Sequence, residues 1–588
     1  MCSVHCHPSF IILLTACLMC INWHIDKLSI HQFTAPFVTL WTLWYLPKYF
    51  NQKWTRIIEA SLGLSIFICC IIDLFCQIRF STHISPQIIS NIFLSNTREI
   101  VEFFSTFANF EVVLNPRIIM WLFLFLLFIS CYLYPNTWGS TIVWVSNHSK
   151  AFQGSLSFFK VKYLILPILF LFIYEIPTSY QFLQLFNPNK NINDLEGMVF
   201  RKYHQTLPTP LHRIIYSLWA VNRSTKSLEN IKAATLSAQM VSCSFRSPHI
   251  VLIIGESYNK YHSSLYGYEK ATTPLQQSRY EKGELFLFDN VVSPWNITSN
   301  VFLRLFSTWG CAMEGEIDKQ PLFPFLFRKA GYEVKFYTNQ YAMKGFAHRG
   351  TTQTGGFFLA DASFSEQLFS HRNKKTFKYD HTLVNYIKKR KLLTHELKPT
   401  LDIIHLVGQH FDYSEKYPKE YTKFTEQDYA HLSLGVRERT TISHYDNACY
   451  YNDAVLNSIL SLYEMDETIV IFLSDHGEEV YDDMPTCGRI FSTPDASIAK
   501  YEYEIPMWIW CSKSYQQKHP DFVEQIAASI HKPFLSDKLA SLLFHLSGIV
   551  TPYNMEEHCP LSPKYMCKKR KICGDTDYDE LCKPILVF

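Results

Sequence analysis

Apolar residues are distributed along this chain in two regimes. In the first third they form long runs. Phe10 to Ile21, Thr34 to Leu46, Ile57 to Phe75, Ile118 to Tyr134 and Tyr163 to Tyr174 are apolar cores that reach membrane-crossing length once flanking aromatics are counted. The second core is short and bracketed by Pro36 and Pro47, which fits a re-entrant or buried helix as well as a span, and its Trp41, Trp44 and Tyr45 suit a membrane interface. The first does not read as a cleaved leader, because Lys and Arg are missing ahead of it and Met19-Cys20-Ile21-Asn22 offers no small-residue cleavage site. The pattern therefore predicts a multi-span α-helical membrane domain of about five helices over residues 1–183.

Charge sets the expected orientation of those spans. Lys48, Lys53 and Arg56 lie between spans two and three, and Lys150, Lys160 and Lys162 between four and five. The other two loops carry only Lys27, or Arg79, Arg98 and Arg117 diluted by Glu99 and Glu102. Positive loops stay in the cytoplasm, so an odd number of spans delivers the rest of the chain outside. Within the outer loop, Ile84 to Glu102 reads either as an amphipathic segment on the membrane surface or as plain loop. Residues 184–245 form a bridging region, with Ile214, Leu218 and Val221 at helical spacing.

From about Pro248 the pattern changes to short apolar runs separated by stretches long enough for crossover helices. Strands are predicted at Ile250 to Ile254, Glu333 to Tyr337, Leu401 to Leu406, Thr468 to Leu473 and Ile505 to Trp510, giving an α/β domain over residues 246–588. A mean hydropathy of -0.02 averages over these two unlike parts. The net charge of +3 on 588 residues leaves no footprint of nucleic-acid binding.

Cysteine usage divides the same way. Eight of the 17 cysteines lie in or near the membrane part, where a thiol is a small apolar filler. Cys559, Cys567, Cys573 and Cys582 crowd a Lys-rich tail too poor in apolar residues to order itself. Two disulfides are expected there in an oxidising compartment, with zinc binding as the rival.

The chemistry gathers at strand ends. Ile250 to Ile254 runs into Gly255-Glu256, and Thr468 to Leu473 runs into Ser474-Asp475-His476-Gly477-Glu478, where Gly477 permits a sharp turn. Ligand sites of open α/β sheets lie at carboxyl ends of strands, so Glu256, Asp475 and His476 can meet as two carboxylates and an imidazole, a donor set suited to Zn2+ or Mn2+. Each alone could be a satisfied polar residue at a strand end.

The runs GESYNKYHSSLYGYEKATTPL, NITSNVFLRLFS, HLVGQH, YDNACYYND and LSDHGEE occur in one order. In that order they resemble the phosphoethanolamine transferases of Gram-negative bacteria, within the alkaline phosphatase and sulfatase superfamily. The resemblance implies a sulfatase-like C-terminal fold and a threonine nucleophile, matched by Thr298. It also implies a metal held by Glu256, Thr298, Asp475 and His476, a phosphate contact from Lys344, and His405 and His410 near the transferred phosphate or a second metal. A second metal is left open, because relatives carry a further histidine shortly after SDHGE and this chain has none between Glu479 and Lys500. The implied donor is phosphatidylethanolamine and the implied acceptor an envelope glycan such as lipid A or the lipopolysaccharide core. The implied location is the bacterial inner membrane, with the catalytic domain in the periplasm. A glycerophosphate transferase, a tethered phosphatase and an inactive lipid-binding scaffold are the alternatives to that activity.

Overall fold

The structure is a computed structural model that describes residues 31–45, 52–80, 114–134, 161–187, 207–311, 313–340, 361–393, 398–489, 494–567, 569–574 and 576–583, with a few isolated positions between. The chain divides into two compact units, one of residues 1–223 with 349–352, the other of 224–348 with 353–588.

In the first unit the described helices are α1 (His31–Tyr45), α2 (Gln52–Phe80), α3 (Pro116–Leu133) and α4 (Val161–Gln184), followed by α5 (Pro210–Leu236), which runs on into the second unit. Pro36 lies inside α1. Among the described residues one helix, through Ser61–Ile78 of α2, is long and apolar enough to cross a membrane, and Pro116–Leu126 is a shorter apolar stretch. The expected first span, Phe10 to Ile21, lies outside the described residues, as does most of Ile84 to Glu102. Phe37, Phe67, Leu74 and Trp121 pack into a shared core of α1, α2 and α3, whereas Leu169, Phe170, Ile173 and Ile176 of α4 are exposed.

The second unit is built on a seven-stranded sheet of β1 (His249–Gly255), β2 (Leu285–Phe288), β3 (Glu333–Thr338), β4 (His371–Arg372), β5 (Thr400–His405), β6 (Thr468–Ser474) and β7 (Met507–Cys511), in the order β2-β7-β6-β1-β5-β3-β4. β6, β1, β5, β3 and β4 are parallel, while β7 runs antiparallel to both β6 and β2. The apolar run near residue 505 thus marks a strand but not its direction, since a strand buried on both faces looks the same either way. The four-residue strand β2 lies on the sheet edge, too short for periodicity to reveal.

Alternation along the central strands feeds two cores. Ile250, Leu252 and Ile254 of β1, with Ile469, Ile471 and Leu473 of β6, face a cluster that includes Val301, Phe302, Leu305 and Phe306 of α6 (Thr298–Phe306). Val251, Ile253, Val470 and Phe472 face the opposite cluster with Tyr445, Ala448, Cys449 and Leu456 of α8 (Val436–Ser461); α7 (Asp380–Leu393) contributes Leu383 and Ile387 to that side. Burial on both faces explains why these strands are continuous apolar runs.

The tail departs from expectation. Among the described residues no disulfide joins Cys559, Cys567, Cys573 and Cys582. The tail is ordered by docking: Cys559, Leu561, Ile572, Cys573 and Tyr578 join the main core. The Cys573 amide donates to Pro294 O at 2.9 Å, and Arg570 Nη1 to Asn290 Oδ1 at 2.6 Å. Its few apolar residues are buried against a surface that the rest of the domain supplies.

Candidate active site

Strand register brings the chemistry together. Gly255 pairs with Ser474 and Ile254 with His405, so β1, β6 and β5 end level and the next residues emerge side by side. Glu256 and Asp475 are those next residues, His476 follows, and Thr298 opens α6 nearby; Glu256, Asp475 and His476 are fully buried. Thr298 Oγ1 lies 3.1 and 3.0 Å from the two carboxylate oxygens of Glu256 and 3.2 Å from His476 Nε2. His476 Nε2 is in turn 3.4 Å from Glu256 Oε1 and 3.3 Å from Asp475 Oδ2. All four residues expected at the metal therefore meet.

Their surroundings fix their orientation. His476 Nδ1 is 2.7 Å from Gly477 O and donates to it, which turns Nε2 toward the cluster. Asp475 Oδ1 accepts from the amides of Ser257 (3.1 Å) and His476 (2.7 Å). Ser257 itself sits at φ +54, an unusual backbone conformation for a side-chain-bearing residue and of the kind that collects at functional sites. Gly477 has a different role from the one expected. A Cβ there would stand 2.1 Å from Tyr501 O, so it is a glycine for close approach rather than for a turn.

Electrostatics point to a cation. Burial, then the charge of Glu256, pushes Asp475 up to about 7. Burial alone would raise Glu256 too, but the hydrogen bond and charge of His476 hold it well below the ordinary carboxylate range. His476 is raised against its own burial by Asp475. Asp475 Oδ2 is buried without a hydrogen bond, and the donor atoms of Glu256, Asp475 and His476 lie within 4.8 Å of one another. Two buried carboxylates, an imidazole and a hydroxyl fit a divalent ion such as Zn2+ or Mn2+. Among the described residues this is the single group of its kind.

The remaining expected residues lie around this centre. His405 ends β5, with Nδ1 3.1 Å from Thr338 Oγ1 and its ring 4.4 Å from that of Phe302, one turn after Thr298. Burial drives its pKa down to about 3, so it is a neutral group at physiological pH. His410 sits on the following loop with Nδ1 2.7 Å from Phe411 O, and its field reaches Glu256. Lys344 lies outside the described residues.

Four supporting groups were not evident from sequence. Gln340 Nε2 donates to Glu256 Oε2 at 2.9 Å and to Leu406 O at 2.8 Å, fixing one carboxylate oxygen. Asp380, buried at the start of α7, accepts from the amides of Val407 and Gly408, both at 3.0 Å, and so sets the loop that carries His410. Gly408 has φ +43, and a Cβ on it would meet Glu256 O at 2.9 Å and Glu256 N at 3.1 Å, so the loop lies against Glu256 only because this residue is glycine. Arg489 reaches the centre as well. The sole sequence hint is that it and Lys500 are the only cations after SDHGE up to residue 500.

Comparison with known proteins gives the same direction. The sequence model of the family described as Sulfatase matches residues 248–549. Phosphoethanolamine transferase EptC of Escherichia coli K12 is 27% identical over 505 residues, 82% of this chain and 79% of that one. Phosphoethanolamine transferase CptA of Salmonella typhimurium LT2 is 24% identical over 525 residues, 86% of this chain and 83% of that one. Among solved structures, the C-terminal periplasmic domain of EptC from Escherichia coli in complex with Zn is similar over 57% of this chain and 93% of that one, with 26% identity and a TM-score of 0.49.

Proposed function

The chain belongs to the sulfatase family, and on that premise we propose that it is a membrane-anchored phosphoethanolamine transferase. It moves phosphoethanolamine from phosphatidylethanolamine to Thr298, and from Thr298 to an envelope glycolipid such as lipid A or the lipopolysaccharide core. The observation that carries this reading is the hydroxyl of Thr298 set within 3.0–3.2 Å of Glu256 and His476, inside a buried cluster of metal-binding donors. The activity named for relatives in Escherichia coli and Salmonella supports it.

A hydroxyl is a weak nucleophile at neutral pH. A zinc or manganese ion held by Glu256, Thr298, Asp475 and His476 would supply the positive charge that lowers the hydroxyl's pKa and offsets charge on the phosphoryl oxygens. Glu256, kept ionised, accepts the hydrogen bond of Thr298 and aims its oxygen. In the first half-reaction the Thr298 oxygen bonds to phosphorus, the bond from phosphorus to the diacylglycerol oxygen breaks, and the displaced proton ends on that oxygen. The second half-reaction repeats the exchange with an acceptor oxygen and restores the Thr298 hydroxyl. The position of Thr298 at the first turn of α6 favours both steps, since a helix N-terminus stabilises anions. His405, neutral, offers a hydrogen bond rather than charge; His410 and Lys344 are assigned to the phosphate.

A lipid donor accounts for an anchor. We read residues 1–183 as the membrane domain, 184–245 as the bridge and 246–588 as the catalytic domain, held at the outer face of the bacterial inner membrane. Support comes from the apolar length of α2 and the exposed apolar residues of α4. The test is mass spectrometry of the protein incubated with phosphatidylethanolamine. A phosphoethanolamine adduct on Thr298, absent from Thr298→Ala together with transfer activity, is expected. A glycerophosphate adduct, or undiminished transfer by Thr298→Ala, refutes the reading.

A further inference from the structure

Among the described residues Arg489 is the one cation whose side chain hydrogen-bonds into the cluster around Thr298. Its Nη1 lies 2.8 Å from Ser257 Oγ, 3.2 Å from His476 Nε2, 3.3 Å from Glu478 Oε2 and 3.6 Å from Glu256 Oε1. The same His476 nitrogen is 3.2 Å from Thr298 Oγ1, so the guanidinium and the nucleophile flank one atom. Arg489 follows the short pairing of Cys487–Gly488 with Glu479–Val480, which turns the chain back over the end of β6. Glu478 is itself held through its other oxygen by the Tyr413 hydroxyl at 2.8 Å.

One nitrogen makes all of these contacts. The contacts to the described residues all use Nη1, and the side chain is 18% exposed, so the guanidinium is only partly enclosed by the described residues. A guanidinium keeps its charge at any working pH and presents its donors as a planar fork that matches two oxygens of a phosphate. Phosphoryl transfer asks chiefly for positive charge aligned on the equatorial oxygens.

We propose that Arg489 binds the non-bridging oxygens of the phosphoryl group, both in the diester donor and after its transfer to Thr298. The proposal rests on the transferase reading above. The ligand chemistry is a tetrahedral phosphate with at least two unesterified oxygens, whether it arrives as a lipid headgroup or as free phosphate.

The experiment uses the full chain in detergent, loaded with zinc, and titrates inorganic phosphate and glycerophosphoethanolamine by calorimetry against wild type, Arg489→Ala and Arg489→Lys. Arg489→Ala is expected to weaken both probes by about tenfold to a hundredfold, the range of one charge-assisted hydrogen bond. Arg489→Lys should recover part of the loss, because it restores the charge but not the fork. Zinc content and near-ultraviolet circular dichroism should match wild type in both variants. Phosphate affinity within about twofold of wild type overturns the proposal. So does zinc lost in step with phosphate, which would make Arg489 a support for the ligands, and so does a loss confined to glycerophosphoethanolamine, which would move it to the ethanolamine side. Failure of the transferase reading shows separately, as transfer by Thr298→Ala.

Discussion

His262 is held between two carboxylates, and that arrangement makes a pH-dependent contribution to stability that can be measured. Its Nδ1 is 2.5 Å from Asp446 Oδ1 on α8, and its Nε2 is 3.3 Å from Asp482 Oδ1 on the segment after SDHGE. Tyr268 and Tyr429 donate to the other oxygen of Asp446, Asn259 donates to Asp482, and the ring of Tyr445 stands 5.1 Å from the imidazole. Burial alone would lower the pKa of His262, but Asp446 first and Asp482 second raise it to about 10, and Asp482 is lowered reciprocally. A folded value above the unfolded one means the contribution is complete below about pH 6.5, then declines as pH rises and is gone above about pH 10. The slope in between is about 1.4 kcal/mol per pH unit, so the contribution at pH 7 is at most roughly 4 kcal/mol. Denaturant unfolding of wild type and His262→Gln from pH 6.5 to pH 10 should give a stability difference that is largest at the acid end and closes with that slope. A difference that is flat, or that widens with pH, refutes the reasoning.

Replacing Glu256 or Asp475 by Ala should lower zinc content and transfer together, since each removes a buried anion from the donor set; full zinc by elemental analysis in both variants would refute the ligand assignment. Gly408→Ala should cost about 1–3 kcal/mol and weaken zinc binding, because its Cβ meets the Glu256 backbone at a positive φ; an unchanged melting temperature and zinc affinity would show that the loop yields freely. A reporter fused after Phe588 should give periplasmic alkaline phosphatase activity if five spans place the catalytic domain outside, whereas fluorescence from a reporter active only in the cytoplasm would refute that topology.

The parts legible in the sequence are those in which one local signal carries one physical meaning. β1, β3, β5 and β6 could be read because strands buried on both faces must be apolar throughout. Glu256 and the Asp475-His476 pair could be read because polar residues standing directly after such strands break the run abruptly. Thr298 came through the family resemblance, since nothing local distinguishes it from other threonines. The direction of β7 was illegible because pairing sense leaves no trace in a doubly buried strand. Gln340, Asp380 and Arg489 act across long sequence separations, so only the assembled sheet shows what they touch. The tail was misjudged for a related reason, because its order depends on contacts with Asn290, Pro294, Tyr503 and Glu504.

That docking has a consequence for how the protein is made. Tyr578 donates to Glu504 at 2.6 Å, and the same carboxylate is taken by Lys260 and by the Tyr261 hydroxyl at 2.8 Å, a few residues past Glu256. Synthesis from the amino end at roughly 5–20 residues per second leaves some tens of seconds between the appearance of the first site residue and of the residue that completes this junction. During that interval the nascent chain already holds Glu256 and Thr298 but not the partners that close the domain around them. Closure of the domain around Glu256 and Thr298 therefore awaits the segment that carries Tyr578, and a chain terminated before that segment holds both residues without the junction at Glu504.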